Sequence, residues 1–232
     1  MIAYRGIKTL EVLEGADNYN AWIAEKFFPY IKTPALEIGA GTGNISSFFT
    51  EIESLVLTDN DSKLVKFLAN KFVLQKNVRA EVLDIASKFG EVKNKFKTIY
   101  AINVLEHIKD DNLALKNIGK LLVPNGKIIL LVPAKKFAYT KLDKSLGHYR
   151  RYERQELVEK LERSGFKVEK VEYFNVLGLL SWLIRDRISR NHNQLKKSQV
   201  KVFDAIVPLL RKIEPTKNLP FGISLIAVAR RR

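Results

Sequence analysis

The sequence predicts an α/β fold with a doubly wound, seven-stranded, mostly parallel sheet, helices on both faces and a helical insertion before the last strand. Three observations predict this class. Short apolar runs alternate with segments whose apolar residues recur at helical spacing. A glycine-rich turn directly follows the first run. The composition, 46% hydrophobic and 28% charged over 232 residues, lies within the globular range.

Seven apolar runs are the candidate strands: Ala35–Ile38, Ser54–Thr58, Val78–Leu83, Thr98–Ile102, Lys127–Val132, Lys167–Phe174 and Ile223–Ala229. Helical spacing predicts helices in three segments, around Ile45–Ile52, Leu64–Phe72 and Leu115–Leu122. Residues that typically begin or end helices and strands lie at the expected positions. We expect Asn44 to cap the first helix, Ser62 to begin the second, Gly165 to end a helix, and Pro124-Asn125-Gly126 to form a turn before a strand.

Two segments lie outside the strand–helix alternation. Residues 1–31 form an N-terminal segment whose helical part carries Tyr19, Trp22, Ile23 and Phe27. Residues 176–220 are too long for a hairpin loop and combine two apolar helical stripes with many lysines and arginines. We interpret them as a helical cap over the mouth of the sheet, within a single domain that spans residues 1–232.

The composition excludes several classes of site and of partner. Without cysteine, the chain has no disulfide, thiolate metal site or thiol nucleophile. No apolar run approaches the ~20 residues that cross a bilayer, so we expect a soluble, cytoplasmic protein. A formal charge of +15 favours anionic binding partners: an acidic membrane surface, RNA or a phosphorylated substrate. Surface charge that only faces solvent stays an alternative, and the oligomeric state is not predicted.

The most informative motif is the run Leu36-Glu37-Ile38-Gly39-Ala40-Gly41-Thr42-Gly43-Asn44. It reads as a strand whose end turns through glycines into a helix, where the backbone can approach a ligand closely. This geometry favours a nucleotide or nucleoside ligand. The spacing is G-x-G-x-G, whereas a dinucleotide fingerprint requires glycine at Asn44, so a nicotinamide-dependent oxidoreductase is disfavoured.

Carboxylates follow the next two candidate strands. Asp59, with Asn60 beside it, ends the second strand, where its two oxygens can accept hydrogen bonds from both hydroxyls of a ribose. Asp84 follows the third strand, and the neighbouring Ile85 can cover an adenine ring. Because the carboxyl ends of parallel strands meet at one edge of a sheet, these groups are expected to share a ligand site.

Together with the strand end Val104-Leu105-Glu106-His107-Ile108 and the later Leu122-Val123-Pro124-Asn125-Gly126, these motifs resemble class I S-adenosylmethionine-dependent methyltransferases over about residues 19–174. The resemblance implies an antiparallel last strand and S-adenosyl-L-methionine as cofactor, with S-adenosyl-L-homocysteine as product. It also implies that cofactor-binding residues lie at each of the four strand ends: Glu37, Gly39, Ala40, Gly41, Gly43, Asn44, Asp59, Asn60, Asp84, Ile85, Asn103 and Val104.

The sequence signals for the acceptor site are less specific than those for the cofactor site. The block Gly147-His148-Tyr149-Arg150-Arg151-Tyr152 resembles a block in some methyltransferases of unassigned substrate. We expect His148 to act as general base and Arg150 or Arg151 to hold an anionic group. The predicted catalytic set is His148, Tyr149, Arg151, Glu106 and His107. In the alternative interpretation, the tyrosines pack, the arginines face water, and Glu106 and His107 only make structural contacts.

Glu106-His107 also resembles the end of the E-x-x-E-H motif that binds a divalent cation in certain O-methyltransferases. Here Asn103 stands at the first position, and no other histidine is near in sequence. The sequence therefore predicts no metal. The predicted activity is methyl transfer to a small or lipid-linked acceptor, possible partners being an anionic membrane or RNA. An RNA methyltransferase and a non-catalytic basic binding protein are the alternatives.

Overall fold

The computed structural model describes residues 15–87, 95–188, 197–214 and 220–232. The strands are β1 Ala35–Ile38, β2 Leu55–Asp59, β3 Val78–Val82, β4 Phe96–Ile102, β5 Leu122–Pro133, β6 Phe166–Phe174 and β7 Ser224–Arg231. The α-helices are α1 Asp17–Phe27, α2 Ser62–Lys71, α3 Asp111–Leu121, α4 Lys141–Leu146, α5 Arg154–Arg163, α6 Val176–Ile188 and α7 Lys197–Ile213. Short 3-10 turns lie at Phe28–Tyr30, Ser46–Phe49, Leu105–His107 and Lys136–Ala138.

The seven strands form one sheet in the order β3-β2-β1-β4-β5-β7-β6. β1 to β5 are parallel to one another, and β7 is antiparallel to both β5 and β6. The predicted fold class and all seven predicted strands are confirmed. The order of the strands switches between β1 and β4, so a crevice opens beyond the carboxyl ends of these two strands.

Side chains along the central strands point alternately to the two faces of the sheet, and this divides the core into two layers. Ile99 of β4 packs in the layer that also contains residues of α3 and α5. Tyr100, the next residue, packs in the layer of α1, α2 and α7. Successive side chains of a strand point to opposite faces, so an uninterrupted apolar run fits a sheet that is covered on both sides.

One predicted helix is wrong. After the glycine turn the chain forms only a 3-10 turn at Ser46–Phe49, and Asn44 does not cap it. The Oγ of Ser47 donates to the carbonyl of Asn44 at 2.8 Å, and the Oδ1 of Asn44 accepts from Thr42 Oγ1 at 3.1 Å. These local side-chain bonds compete with helix hydrogen bonds, and the segment is poor in strong helix formers.

The predicted turn at Pro124-Asn125-Gly126 is also different. These residues lie inside β5, where Asn125 has a φ of +63°. Phe96 pairs with Leu122 and Thr98 pairs with Lys127, so the extra residues of β5 bulge out opposite Lys97. The strand continues on both sides of a bulge. A local sequence pattern therefore does not distinguish a bulge within one strand from a turn before a strand. Ser62 and Gly165 lie at the predicted helix start and end.

The cap helices are joined to the body of the protein by two buried or partly buried carboxylates of α7 and its end. Asp204 accepts hydrogen bonds from the backbone N–H groups of Asn18 and Tyr19 at 3.2 and 2.8 Å, at the uncapped start of α1. Glu214 does the same for Asn175 and Val176 at the start of α6, at 2.7 and 3.1 Å. Each carboxylate therefore supplies, from a distant segment, an acceptor for the first N–H groups of a helix.

Pro208 inside α7 leaves one backbone carbonyl of that helix to accept a hydrogen bond from α1. Proline has no N–H, so the carbonyl of Asp204 one turn earlier has no donor at that position of the helix. The Nδ2 of Asn18 donates to that carbonyl at 3.2 Å. The hydrogen bond that α7 lacks at Pro208 is thus replaced by one from Asn18 of α1. The single-domain organisation over residues 1–232 stays a prediction, since residues 1–14 lie outside the described part.

Asp204→Ala is expected to lower the free energy of unfolding by about 1–2 kcal/mol, because two N–H groups at the start of α1 lose their acceptor. Urea unfolding measures the change. Lys201→Ala, at an exposed position of the same helix, is the matched control and should change stability little. Equal stability of Asp204→Ala and the wild type would show that the carboxylate does not hold α1.

Candidate functional site

A cavity of about 1390 Å³ lies beyond the carboxyl ends of the central strands and reaches the two cap helices. It is lined by nearly the whole predicted cofactor set: Glu37, Gly39, Ala40, Gly41, Asn44, Asp59, Asn60, Asp84, Ile85, Asn103 and Val104. His107, His148 and Arg151 of the predicted catalytic set line it as well. Gly43, Glu106 and Tyr149 do not belong to the lining.

The glycine turn has three residues with positive φ, Gly39 at +68°, Gly41 at +57° and Gly43 at +74°. A Cβ at Gly39 would lie 2.5 Å from Cγ2 of Val104, so this glycine also lets β1 and β4 approach each other at the cavity. A Cβ at Gly43 would lie 2.8 Å from the Phe72 ring, behind the cavity wall. Gly43 therefore allows close packing against the end of α2.

Gly39→Ala is expected to abolish cofactor binding and to destabilise the fold by more than the ~1–2 kcal/mol that a left-handed residue costs, because the clash with Val104 adds to it. Gly165→Ala is the matched control, since Gly165 has a φ of +91° and a Cβ there would meet nothing within 4 Å. Thermal unfolding and titration with S-adenosyl-L-homocysteine measure both variants. Equal losses in the two variants would contradict a specific role for the close approach at Gly39.

Asp59 lies at the tip of β2 and is buried. Its Oδ2 accepts from the N–H of Gly41 at 3.0 Å, and its Oδ1 accepts from the N–H of Asp61 at 3.0 Å. Burial raises the pKa of the Asp59 carboxyl, although both hydrogen bonds oppose that shift. Each oxygen keeps a lone pair, so the carboxylate is held in place and can still accept two hydroxyl donors.

The residues around Asp84 form the next wall. Ile85 is buried and Asp84 is exposed, with its Oδ1 accepting from the N–H of Ala86 at 2.9 Å. Asn117 of α3, which the sequence reasoning missed, donates from Nδ2 to the carbonyls of Ile85 and Ser87 at 2.9 and 2.8 Å. A polar residue among the apolar positions of a core-facing helix is the signal that could have found it. Asn117 fixes the loop that carries Asp84 and Ile85.

Glu37 is buried one residue before the end of β1. Its Oε2 accepts from Ser46 Oγ at 2.6 Å and from the hydroxyl of Tyr100 at 3.0 Å. Burial raises the pKa of Glu37 to about 7, and these two hydrogen bonds counteract part of the rise. Asn103 at the end of β4 has a φ of +52°, an uncommon conformation that turns the chain across the cavity.

On the acceptor side, Asp143 organises the block that follows α4. Its buried carboxylate accepts from Arg151 Nε at 2.9 Å and Nη2 at 3.1 Å, and from the backbone N–H of Thr140 at 2.8 Å. His148 Nδ1 lies 2.9 Å from Asp143 Oδ1. Burial opposes ionisation of Asp143, but the hydrogen bond to His148 and the charge of Arg151 outweigh it and lower the pKa of this carboxyl. An ionised carboxylate only accepts, so His148 Nδ1 donates to it and Nε2 remains for another partner.

The guanidinium groups of both arginines in the block pair with carboxylates of the protein. The fork of Arg151 is taken by Asp143, and its Nη1 donates to the carbonyl of Ala134 at 3.2 Å. Arg150 pairs with Asp111 at 2.7 Å. Tyr149 is 54% exposed. Salt bridges to carboxylates of two other elements, Asp143 of α4 and Asp111 of α3, engage both guanidinium groups, which the six-residue block alone does not reveal.

Glu106 and His107 lie in the 3-10 turn after β4. Glu106 is fully buried, and neither oxygen of its carboxylate has a hydrogen-bond partner. Burial raises the pKa of Glu106 to about 7, and burial together with the nearby His148 lowers the pKa of His107 to about 4. The rings of His107 and His148 meet edge to face, with centroids 4.6 Å apart.

These residues fit S-adenosyl-L-methionine. The carboxylate of Asp59 is fixed at a strand tip, an apolar wall with a carboxylate at its edge lies beside it, and a glycine turn exposes backbone at the strand end. These features suit a ribose, an adenine and a polar tail in that order. The cavity is larger than the roughly 300–1,000 Å³ of ordinary ligand pockets, which leaves room for an acceptor.

Comparisons with known proteins agree with this geometry. A family model described as a methyltransferase domain matches residues 36–128. A reducing polyketide synthase from Preussia isomera is 34% identical over 101 residues, and a highly reducing polyketide synthase from Strobilurus tenacellus is 29% identical over 107 residues. These matches cover 40% and 41% of this chain, and only 4% of the length of each relative.

Solved structures share the fold. A methyltransferase from Thermotoga maritima superposes with a TM-score of 0.65 at 11% identity, covering 97% of this chain and 95% of that one. An S-adenosylmethionine-dependent methyltransferase from Mesorhizobium loti gives a TM-score of 0.62 at 16% identity, covering 91% and 98%. Residues 36–128 therefore match a methyltransferase domain, and the chain shares its fold with solved methyltransferases.

Proposed function

We propose that the protein methylates a small or lipid-linked acceptor that enters the same cavity as the cofactor, opposite the glycine turn. The observation that carries the proposal is the continuity of the cavity. Asp59 and Asp84 line one part of it, and His107, His148 and the helices α6 and α7 line another. A cofactor bound by the carboxylates would thus have an acceptor space beside it, under the cap.

The residues of this chain serve methyl transfer by positioning and by exclusion of water. When bound, S-adenosyl-L-methionine supplies a methyl group activated by a sulfonium sulfur. Transfer then requires the acceptor atom to lie in line with that methyl group in a dry site. Asp59 and the glycine turn fix the cofactor end, Ile85 and Val104 make apolar walls, and Trp182 of α6 lies at the acceptor end.

Several contacts support the assignment of the acceptor end to α6. Trp182 donates from Nε1 to the carbonyl of Ala138 at 3.1 Å, and its ring lies 4.7 Å from the guanidinium carbon of Arg151. Helix α6 of the cap therefore packs, through Trp182, on the Asp143–Arg151 ion pair. The acceptor specificity should depend on α6 and α7, which the methyltransferase domain match, ending at residue 128, does not include.

The experiment that tests the proposal is transfer of a tritiated methyl group from S-adenosyl-L-methionine to a fractionated cell extract. Label is expected in the lipid or small-molecule fraction, and Asp59→Ala should lose it. Label that enters only the RNA fraction would make the protein an RNA methyltransferase. No label in any fraction, with normal binding of S-adenosyl-L-homocysteine, would favour a non-catalytic binding protein.

A lipid-linked acceptor is favoured by an exposed apolar stripe of α7 that borders the cavity. Val202, Ile206 and Leu209 are 68%, 46% and 58% exposed, and their spacing places them on one side of the helix. The exposed Lys197, Lys201 and Lys212 lie on the same helix. Apolar side chains among lysines suit the headgroup region of an anionic membrane, such as the cytoplasmic leaflet. Among the described residues, no helix is long and apolar enough to cross a membrane.

Vesicle flotation tests this surface. The protein is expected to float with vesicles that contain anionic lipid, less so as salt rises, and not with neutral vesicles. Leu209→Glu should reduce flotation at least severalfold, because the substitution places a carboxylate in the apolar stripe. Leu74→Glu, which adds the same charge at an exposed position after α2, is the control for charge alone. Unchanged flotation of Leu209→Glu, or salt-sensitive binding to RNA without flotation, would contradict a membrane-facing α7.

A further inference from the structure

We propose that Glu106, His107 and His148 bind a divalent transition-metal cation at the acceptor end of the cavity. The inference deepens the proposed function, on which it rests only for the identity of the acceptor end. It also gives His148 a role other than the general base that the sequence predicts. Among the described residues, these three form a group of potential ligands whose donor atoms all lie within 4.8 Å of one another.

The distances suit a site that closes around its ion. Zinc binds histidine nitrogen and carboxylate oxygen at about 2.0–2.2 Å, which places neighbouring ligand atoms about 3.5 Å apart in a tetrahedral arrangement. Donor atoms within 4.8 Å of one another need only small side-chain rotations to reach that spacing. The edge-to-face packing of the two imidazoles keeps their rings 4.6 Å apart between centroids.

Glu106 is the second, independent observation. Its carboxylate is fully buried, and neither oxygen has a hydrogen-bond partner. Buried polar groups without partners are rare in folded proteins, because the lost hydration is not replaced. The nearby cation Arg151 is already engaged on both oxygens of Asp143. A metal ion between Glu106 and the imidazoles would supply the missing partner.

Each of the two imidazoles has a hydrogen bond to a protein group that fixes its ring. His148 donates from Nδ1 to Asp143, which leaves Nε2 for a ligand. The ring of His107 has a hydrogen bond with the backbone of Gly147. Histidines that bind a metal generally give their other ring nitrogen to a carboxylate or a carbonyl, which fixes the ring and strengthens the ligand. The Asp143–His148 pair has this arrangement.

The position of the three ligands leaves room for an acceptor. His107 and His148 line the cavity, and Glu106 lies behind them. Three protein ligands with open positions towards a cavity are typical of catalytic metal sites, and two histidines with one carboxylate favour transition metals over magnesium or calcium. A cation held here would face an oxygen donor of the acceptor. The sequence predicted no metal because His148 is distant along the chain, and the loop after α4 brings it to His107.

The test uses the full-length chain without a histidine tag. After treatment with chelator, the protein is titrated by calorimetry with Zn²⁺, Mn²⁺ or Mg²⁺ alone, and visible absorption is recorded with Co²⁺. We expect about one Zn²⁺ or Co²⁺ per chain, weak Mg²⁺ binding, and cobalt d–d bands of a nitrogen- and oxygen-ligated site. Glu106→Gln and His148→Gln should each weaken Zn²⁺ binding at least tenfold.

Glu81→Gln, which removes an exposed carboxylate from β3, is the matched control and should bind Zn²⁺ like the wild type. Unfolding curves and titration with S-adenosyl-L-homocysteine on the same samples confirm that each variant is folded. No saturable binding of Zn²⁺ or Co²⁺ by the wild type, or wild-type affinity for Zn²⁺ in both Glu106→Gln and His148→Gln, would overturn the metal site. If S-adenosyl-L-homocysteine binds normally in that case, the proposed function is unaffected.

Discussion

Asp59→Ala is expected to weaken binding of S-adenosyl-L-homocysteine by about ten- to a hundredfold or more, corresponding to about 1.5–3 kcal/mol for hydrogen bonds to a charged acceptor. The ribose would lose both of its acceptor oxygens. The N–H groups of Gly41 and Asp61 would lose theirs too, so the glycine turn would also be less firmly held. Isothermal titration calorimetry measures the change in dissociation constant.

Asp84→Ala is the comparison variant. Asp84 is exposed, and solvent competes for any hydrogen bond to an adenine amino group, so a smaller loss is expected than for Asp59→Ala. Asp84→Ala should unfold close to the wild-type temperature, whereas Asp59→Ala should unfold at a lower temperature because two N–H groups lose their acceptor. Wild-type affinity in Asp59→Ala, or a larger loss in Asp84→Ala, would contradict the assignment of the ribose to the tip of β2.

Asp143→Ala is expected to have the largest effect on stability, about 3–5 kcal/mol, because it leaves the buried Arg151 without its partner. His148 and the start of α4 lose an acceptor at the same time. Chemical denaturation measures the free energy of unfolding. Asp61→Ala, which removes an ordinary helix cap at the start of α2, is the control and should cost about 1 kcal/mol.

The effect of Asp143 should depend on pH. Its pKa is lowered in the folded protein, so its contribution to stability is present above the ordinary value of 3.8 and is lost as pH falls through the folded-state value. The difference in unfolding free energy between wild type and Asp143→Asn should therefore shrink below about pH 4. A difference that is small at pH 7 or grows in acid would show that the carboxylate is not a stabilising ion partner.

Most of the fold, and the grouping of the candidate cofactor residues around one cavity, can be predicted from the sequence because both depend on local pattern. Each central strand is a short apolar run, and a parallel sheet buried on both faces requires that run. The glycine turn, Asp59 and Asp84 follow strand ends directly, so the topology alone brings them to one edge. The exceptions are also local. Hydrogen bonds of Ser47 and Asn44 replaced the predicted helix after β1.

The acceptor side is harder to predict because tertiary contacts determine what its residues do. Arg151 and Arg150 resemble ligand-binding groups in sequence, but Asp143 and Asp111 satisfy them in the fold. His148 approaches His107 only because α4 and its left-handed Gly147 return the chain to the end of β4. Asn117, which fixes the loop of Asp84, looks like one more position of a core-facing helix. Charge and hydropathy do not encode such pairings.

Calorimetric titration of the wild-type chain with S-adenosyl-L-homocysteine, and in parallel with NADH, tests the central claim most directly. The geometry of Glu37, Asp59 and Asp84 around one cavity predicts saturable binding of one S-adenosyl-L-homocysteine per chain and no binding of NADH. Binding of NADH in preference to S-adenosyl-L-homocysteine, or binding of neither by the folded protein, would contradict a methyltransferase cofactor site in this cavity.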